Sequence, residues 1–201
     1  MSVFVDRYPV TVGSQSVELP LVPIGAEHAI SLLMTIDQPV SFLATAGADL
    51  ASLLEPAEPE IVVTNATLGI PVAIEVSRAL GLDEYLVLQK TPKIHLADAL
   101  VEPLTSITTQ GDQALRLDRA RVDLVAGRRV ALVDDVVATG GSMAAALRLL
   151  RAAGAAVVAI GVLLAEGDAW TEVLGPDADL VRSLGRIPGF VAADGGWAEQ
   201  W

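Results

Sequence analysis

The 201-residue sequence predicts an α/β protein built on a doubly wound, mostly parallel sheet. Two observations carry this. From residue 60 onward, short apolar runs alternate with runs of helical periodicity, and strand–helix–strand order implies parallel pairing with right-handed crossovers. The apolar runs are also continuous instead of alternating, which fits a sheet covered on both faces. In such folds ligands bind beyond the carboxyl ends of the strands.

The elements follow in order. Residues 8–24 alternate weakly (Val10 and Val12, then Val17, Leu19 and Leu21) around Gly13, which predicts a hairpin. Residues 39–54 recur at helical spacing and end near Pro56. A strand over 60–64 precedes a helix over 72–80 that Gly81 stops. A second strand covers 85–89. Polar alternating segments over 103–118, centred on Gln110-Gly111-Asp112, predict a two-stranded flap. A third strand spans 129–134, a helix spans 143–153 up to Gly154, and a fourth strand spans 157–165. A fifth, over 184–190, is broken by Pro188. The whole reads as a single domain over 1–201.

Composition excludes several classes. The sequence is 52% hydrophobic, enough for a sizeable core, so it is not a disordered chain. Thirteen basic against 25 acidic residues give a net charge of −12, which argues against nucleic acid and anionic lipid as partners. No cysteine is present, hence no disulfide framework or thiolate metal site. The two histidines, His28 and His95, are too few for a multi-histidine zinc site; His28 reads as a surface residue, and His95 follows Lys93. The N-terminal residues lack the apolar run of a secretory signal. The longest uncharged apolar stretch, 152–165, has 14 residues where a membrane span needs about 20. The expected location is the cytoplasm, with no membrane partner.

The most informative segment is Val130-Ala-Leu-Val-Asp-Asp-Val-Val-Ala-Thr-Gly-Gly-Ser142. It places two carboxylates, Asp134 and Asp135, at the expected carboxyl end of a buried strand. Ala138, Thr139, Gly140, Gly141 and Ser142 then lead into a helix. The glycines let successive N–H groups face one concavity, and the helix start adds dipole and free donors, so this loop suits a phosphate. The carboxylates repel that phosphate and suit hydroxyls or a divalent cation. Together they describe a site for a ribose 5-phosphate. No Gly-Lys-Ser/Thr follows, which excludes a Walker loop, and no dinucleotide glycine fingerprint occurs.

This stretch resembles the phosphoribosyl-pyrophosphate motif of type I phosphoribosyltransferases, in the adenine/xanthine (purine) branch. The resemblance implies the type I phosphoribosyltransferase fold, with a core over 38–166, a hood from 8–35 and 168–201, and a flexible flap over 103–118. It implies that Asp134 and Asp135 bind the ribose hydroxyls and Mg²⁺, and that Ala138 to Ser142 grip the 5-phosphate. It assigns pyrophosphate to Asn65, Ala66 and Thr67 after the first core strand. The only two lysines, Lys90 and Lys93, sit together in Gln89-Lys-Thr-Pro-Lys93, similar to the basic region that meets the leaving pyrophosphate in adenine enzymes. Lys90, Asp134 and Asp135 are the candidate catalytic residues.

Pro23 and Ile24, followed by Ile30-Ser-Leu-Leu33, resemble the base-binding hood, and Glu166 and Asp168 follow the strand end that reaches the purine. Asp168 stands where enzymes for 6-oxopurines carry a lysine, and an acid there favours a 6-aminopurine. The flap, Ser106-Ile-Thr-Thr-Gln-Gly111, lacks the Tyr/Glu pair of adenine enzymes and is nearer that of xanthine enzymes and purine repressors. The implied activity is transfer of ribose 5-phosphate from phosphoribosyl pyrophosphate to a purine base in purine salvage, by a homodimer. A non-catalytic sensor, or an enzyme for xanthine or another base, remains the alternative. Of the three tryptophans, Trp170 reads as core packing, and Trp197 and Trp201 as packing on the body or a partner.

Overall fold

The computed structural model describes residues 3–92, 98–104 and 113–201. Lys93, His95 and flap residues 106–111 lie outside the described residues.

The chain opens with β1 (Val3–Phe4) and the hairpin of β2 (Arg7–Val12) and β3 (Gln15–Pro23). Strict alternation of exposed and buried residues along β2 marks a strand with one wet face. Strand β4 (His28–Ser31) returns along β3, with Val22 opposite Ile30. Helix α1 (Val40–Leu54) and β5 (Ile61–Asn65) follow. Helix α2 (Gly69–Leu80) begins three residues before the predicted start, because Pro71 is tolerated in a first turn, where its missing N–H has no partner to lose. Gly81, with φ +70°, ends it as predicted.

Strand β6 (Tyr85–Leu88) precedes the arms of the flap, β7 (Ala99–Pro103) and β8 (Ala114–Asp118), which pair antiparallel. The first arm lies N-terminal to the predicted 103–118 range. Strand β9 (Arg129–Val137), α3 (Gly141–Ala152) and β10 (Ala156–Glu166) form the motif-bearing unit. A short helix α4 (Ala169–Leu174) and β11 (Val181–Ile187) complete the core. Pro188 breaks the chain as predicted, and β12 (Gly189–Ala193) and β13 (Gly196–Gln200) turn back.

Two large sheets result. Five strands, in the order β11-β10-β9-β5-β6, are all parallel. Their residues alternate between two apolar clusters. Val62, Ala131, Val133, Ala159 and Leu163 pack toward α1 and α2, while Ile61, Val63, Val130, Leu132, Ile160 and Val162 pack toward α3. The sheet is thus covered on both faces, as the continuous apolar runs predicted.

The second sheet is antiparallel with six strands, β1-β13-β12-β4-β3-β2. It joins both predicted hood segments into one layer larger than the small hood expected. Phe4, Tyr8 and Phe190 meet edge-to-face within it, with ring centroids 5.0–6.4 Å apart. Glu199 accepts a hydrogen bond from Tyr8, and burial with this carboxylate pushes the phenol up to about 12. The hairpin tip docks on the parallel sheet where Gly13 N–H donates to the Leu184 carbonyl at 3.0 Å.

Candidate functional site

Chain order along the parallel sheet reverses between β5 and β9, since the chain runs outward through β6 on one side and through β10 and β11 on the other. Above such a switch point neighbouring crossovers diverge and leave a crevice at the carboxyl ends of the strands. The polar residues of this protein collect there.

Asn65 ends β5 and Asp134 lies in β9. Asn65 Nδ2 donates to Asp134 Oδ2 at 3.0 Å, and the Asp135 N–H donates to Asp134 Oδ1 at 3.1 Å. Asn65 is 1% exposed and Asp134 9%. Burial, with the Asp135 charge beside it, pushes the Asp134 carboxyl up to about 8, and the Asn65 donor opposes that shift. Burial also raises Asp135; the Asp134 side chain, nearby N–H groups and the Lys90 charge pull it back. Burial of two adjacent carboxyls in one strand disfavours having both charged, so each is raised until a cation or donor arrives.

Contrary to the sequence expectation, the acid pair does not end the strand. Strand β9 runs on to Val137, because Val136 and Val137 keep the ladder to Leu164 and Ala165 of β10. The turn then swings through Ala138 and Thr139 into α3. Gly140 takes φ +79°, and no side chain caps the helix. The first N–H groups of α3 therefore have no intrahelical acceptor. A hollow of about 170 Å³ opens here, lined by Asp134, Val136, Val137, Ala138, Thr139, Gly140, Ser142 and Met143. Four of the five residues predicted for the 5-phosphate line it, and Gly141 starts the helix behind them.

The other predicted residues lie around this corner. Asn65, Ala66 and Thr67 form the turn after β5, with a cis peptide between Ala66 and Thr67. The side-chain donor of Asn65 is taken by Asp134. Lys90 is exposed just beyond β6. Its carbonyl accepts from Arg116 Nη1 at 2.9 Å, and Gln89 and Arg116 exchange backbone hydrogen bonds, so the second flap arm is tied to the end of β6.

Glu166 closes β10, half-buried, and burial raises its carboxyl. Asp168 is exposed and committed to Arg186 at 2.6 Å. Pro23 and Ile24 form the tip of the β3–β4 hairpin, where Ile24 is 57% exposed. None of Pro23, Ile24, Glu166, Asp168 and Lys90 lines the hollow.

One residue at this corner, Gly69, was not singled out from the sequence, while Gly140 has a second role. A Cβ on Gly69 would overlap the Thr64 hydroxyl and lie 2.6 Å from Asp134 Oδ1. A Cβ on Gly140 would lie 3.2 Å from the Trp170 backbone, so α4 seals the outer side of the loop. Trp170 packs against the α3 side of the core and donates Nε1–H to the Gly167 carbonyl at 3.1 Å. Trp197 lies in β13, and Trp201 is 61% exposed beside Arg186.

Known proteins resemble this chain in sequence and in fold. An adenine phosphoribosyltransferase from Mycobacteroides abscessus is 47% identical over 78 residues, 37% of this chain and 44% of that protein. One from Rhodospirillum centenum is 34% identical over 118 residues, 57% of this chain and 64% of that protein. The matched part is less than two thirds of the length of either relative.

Among solved structures, the APRTase from Giardia lamblia complexed with 9-deazaadenine superposes with a TM-score of 0.66 at 21% identity. That match covers 84% of this chain and 93% of the other. The adenine phosphoribosyltransferase from Thermoanaerobacter pseudethanolicus gives 0.63 at 21%, over 84% and 95%. At that identity the likeness establishes the fold. The family model described as the phosphoribosyl transferase domain matches residues 44–192, from within α1 to within β12, and the chain belongs to that family.

Proposed function

We propose that this protein transfers ribose 5-phosphate from phosphoribosyl pyrophosphate to a purine base, adenine first, releasing pyrophosphate in purine salvage. One observation carries the reading: the hollow at the β9–α3 corner has a buried carboxyl on one wall and an uncapped, glycine-hinged helix start on the other. Membership of the family and the adenine phosphoribosyltransferase relatives support it.

In this reading the 5-phosphate sits on the N–H groups and hydroxyls of Ala138 to Ser142, where the α3 dipole favours an anion. Asp134 and Asp135 accept from the ribose hydroxyls. The bond from the anomeric carbon to the pyrophosphate oxygen breaks, and the electron pair leaves with pyrophosphate. A bond to a purine ring nitrogen forms, and that nitrogen gives up its proton. Charge grows on the departing oxygens, and Lys90, with donors of the 65–67 turn, stabilises it there. Glu166, its carboxyl raised by burial, suits exchange of the base proton. The β8 arm is tied beside Lys90 through Arg116, and in this reading closure of the flap excludes water from the sugar cation.

The paired carboxyls fit Mg²⁺, which binds through one or two carboxylates and completes its shell with substrate oxygens and water. Asp134 and Asp135 would hold such an ion, which would supply positive charge against the leaving pyrophosphate.

The homodimer, the cytoplasmic location and the single folding unit belong to the same reading. Among the described residues no helix is long and apolar enough to cross a membrane. Sedimentation tests the dimer. The activity is tested by incubating the protein with phosphoribosyl pyrophosphate, Mg²⁺ and a panel of bases. Pyrophosphate release with adenine is expected. Saturable binding without release makes the protein a sensor, and absence of binding overturns the site.

A further inference from the structure

We propose that Asn65 and Gly69 are positioning residues for Asp134, so that the turn leaving β5 sets the carboxylate on β9. The assignment of Asp134 to the sugar rests on the function proposed above; the positioning itself rests on contacts.

Asn65 Nδ2 donates to Asp134 Oδ2 at 3.0 Å, while Asn65 Oδ1 is buried without a hydrogen-bond partner. An amide that leaves its oxygen unpaired carries a desolvation cost. A small apolar residue at the end of β5 would avoid that cost. What offsets it here is the donor aimed at a carboxylate, a charge-assisted bond that also fixes the carboxylate rotamer.

Gly69 acts from the other side. Its φ lies outside the left-handed region, and it stands in the first turn of α2, where alanine is the better helix former. The backbone therefore does not call for glycine; the space does. A methyl group would meet Asp134 Oδ1 at 2.6 Å and overlap the Thr64 hydroxyl. Asp134 is thus held by a donor four positions before the residue that leaves it room. The turn assigned to the leaving group is in this way built into the placement of the sugar carboxylate. The side-chain amide of Asn65 acts through Asp134 and not on pyrophosphate.

The test is a binding cycle. Affinity for phosphoribosyl pyrophosphate with Mg²⁺ is measured by calorimetry for the parent, Asn65→Ala, Gly69→Ala, Asp134→Asn and the Asn65→Ala/Asp134→Asn double variant. Circular dichroism confirms that each is folded. Each single variant is expected to bind about 10- to 100-fold more weakly, as for residues that orient a ligating group. The double variant should bind no more weakly than Asp134→Asn alone, an absence of additivity that a merely structural role would not produce.

Parental affinity in Asn65→Ala, or a full extra loss in the double variant, overturns the proposal. If the parent itself does not bind the sugar pyrophosphate, the function fails and the positioning is decided without ligand, by crystal structures of Asn65→Ala and Gly69→Ala. A displaced Asp134 carboxyl in both upholds it; an unmoved one overturns it.

Discussion

Replacing Asp134 by Asn should make the unliganded protein more stable, by a margin that grows as pH rises from about 4 to about 8. The Asp134 carboxyl is 9% exposed and pushed up to about 8 by burial and the neighbouring Asp135 charge. An unfolded chain would titrate it near its ordinary value of about 4. Between those two values the folded state holds a proton that the unfolded state has lost, so stability falls as pH rises through that window. Each pH unit costs at most about 1.4 kcal/mol.

Because Asp135 shares the burden, we expect Asp134→Asn to gain roughly 2–4 kcal/mol at pH 8 and close to nothing at pH 4. The amide can be accommodated. Asp134 accepts from two donors, Asn65 Nδ2 and the Asp135 N–H, and Asn65 can turn over to offer its unpartnered Oδ1 to the new amide. Urea unfolding of parent and variant at both pH values reads the gain from the midpoints. An equal gain at both pH values, or a loss at pH 8, would refute this account of the buried acid pair.

Other outcomes follow from the same geometry. Gly140→Ala should lose about 1–2 kcal/mol, because the residue has φ +79°, with a further loss from its contact with Trp170; thermal melting checks it. Lys90→Met should raise the KM for phosphoribosyl pyrophosphate roughly tenfold, about 1.4 kcal/mol, and leave the KM for adenine unchanged. A parallel rise in both constants would place Lys90 elsewhere. Phe190→Ala removes a ring that is 1% exposed at the centre of the antiparallel sheet, and should cost about 3–5 kcal/mol in denaturant unfolding.

Much of this fold was legible because local chemistry agreed with tertiary context. Gly81 stops α2, Pro188 divides β11 from β12, and alternation in β2 and β3 marks a half-wet hairpin. The loop between β9 and α3 was legible for the same reason, since its glycines and helix start are contiguous. The extension of β9 was not: adjacent aspartates read as a strand end, and only pairing with β10 carries them into the ladder. Strand β13 was not among the predicted strands, because its partners, β12 and β1, lie on either side of it only in space. The link from Asn65 to Asp134 crosses from one strand to another, and Gly69 resembles an ordinary turn glycine until the acid beside it is seen. Position relative to a distant strand leaves no trace in local spacing.

The antiparallel sheet pairs the first strands of the chain with the last: Val3 lies opposite Ala198, and His28 opposite Val191. During synthesis, which proceeds from the N-terminus, the strands up to β4 must wait for β12 and β13 to leave the ribosome. By then β5, β6, β9 and β10 can already have assembled. The edges of the early hairpin stay open meanwhile, and unpaired edges invite wrong partners. Nascent chains stalled before Gly189 should therefore be the aggregation-prone species, and emergence of β12 and β13 should close that exposure.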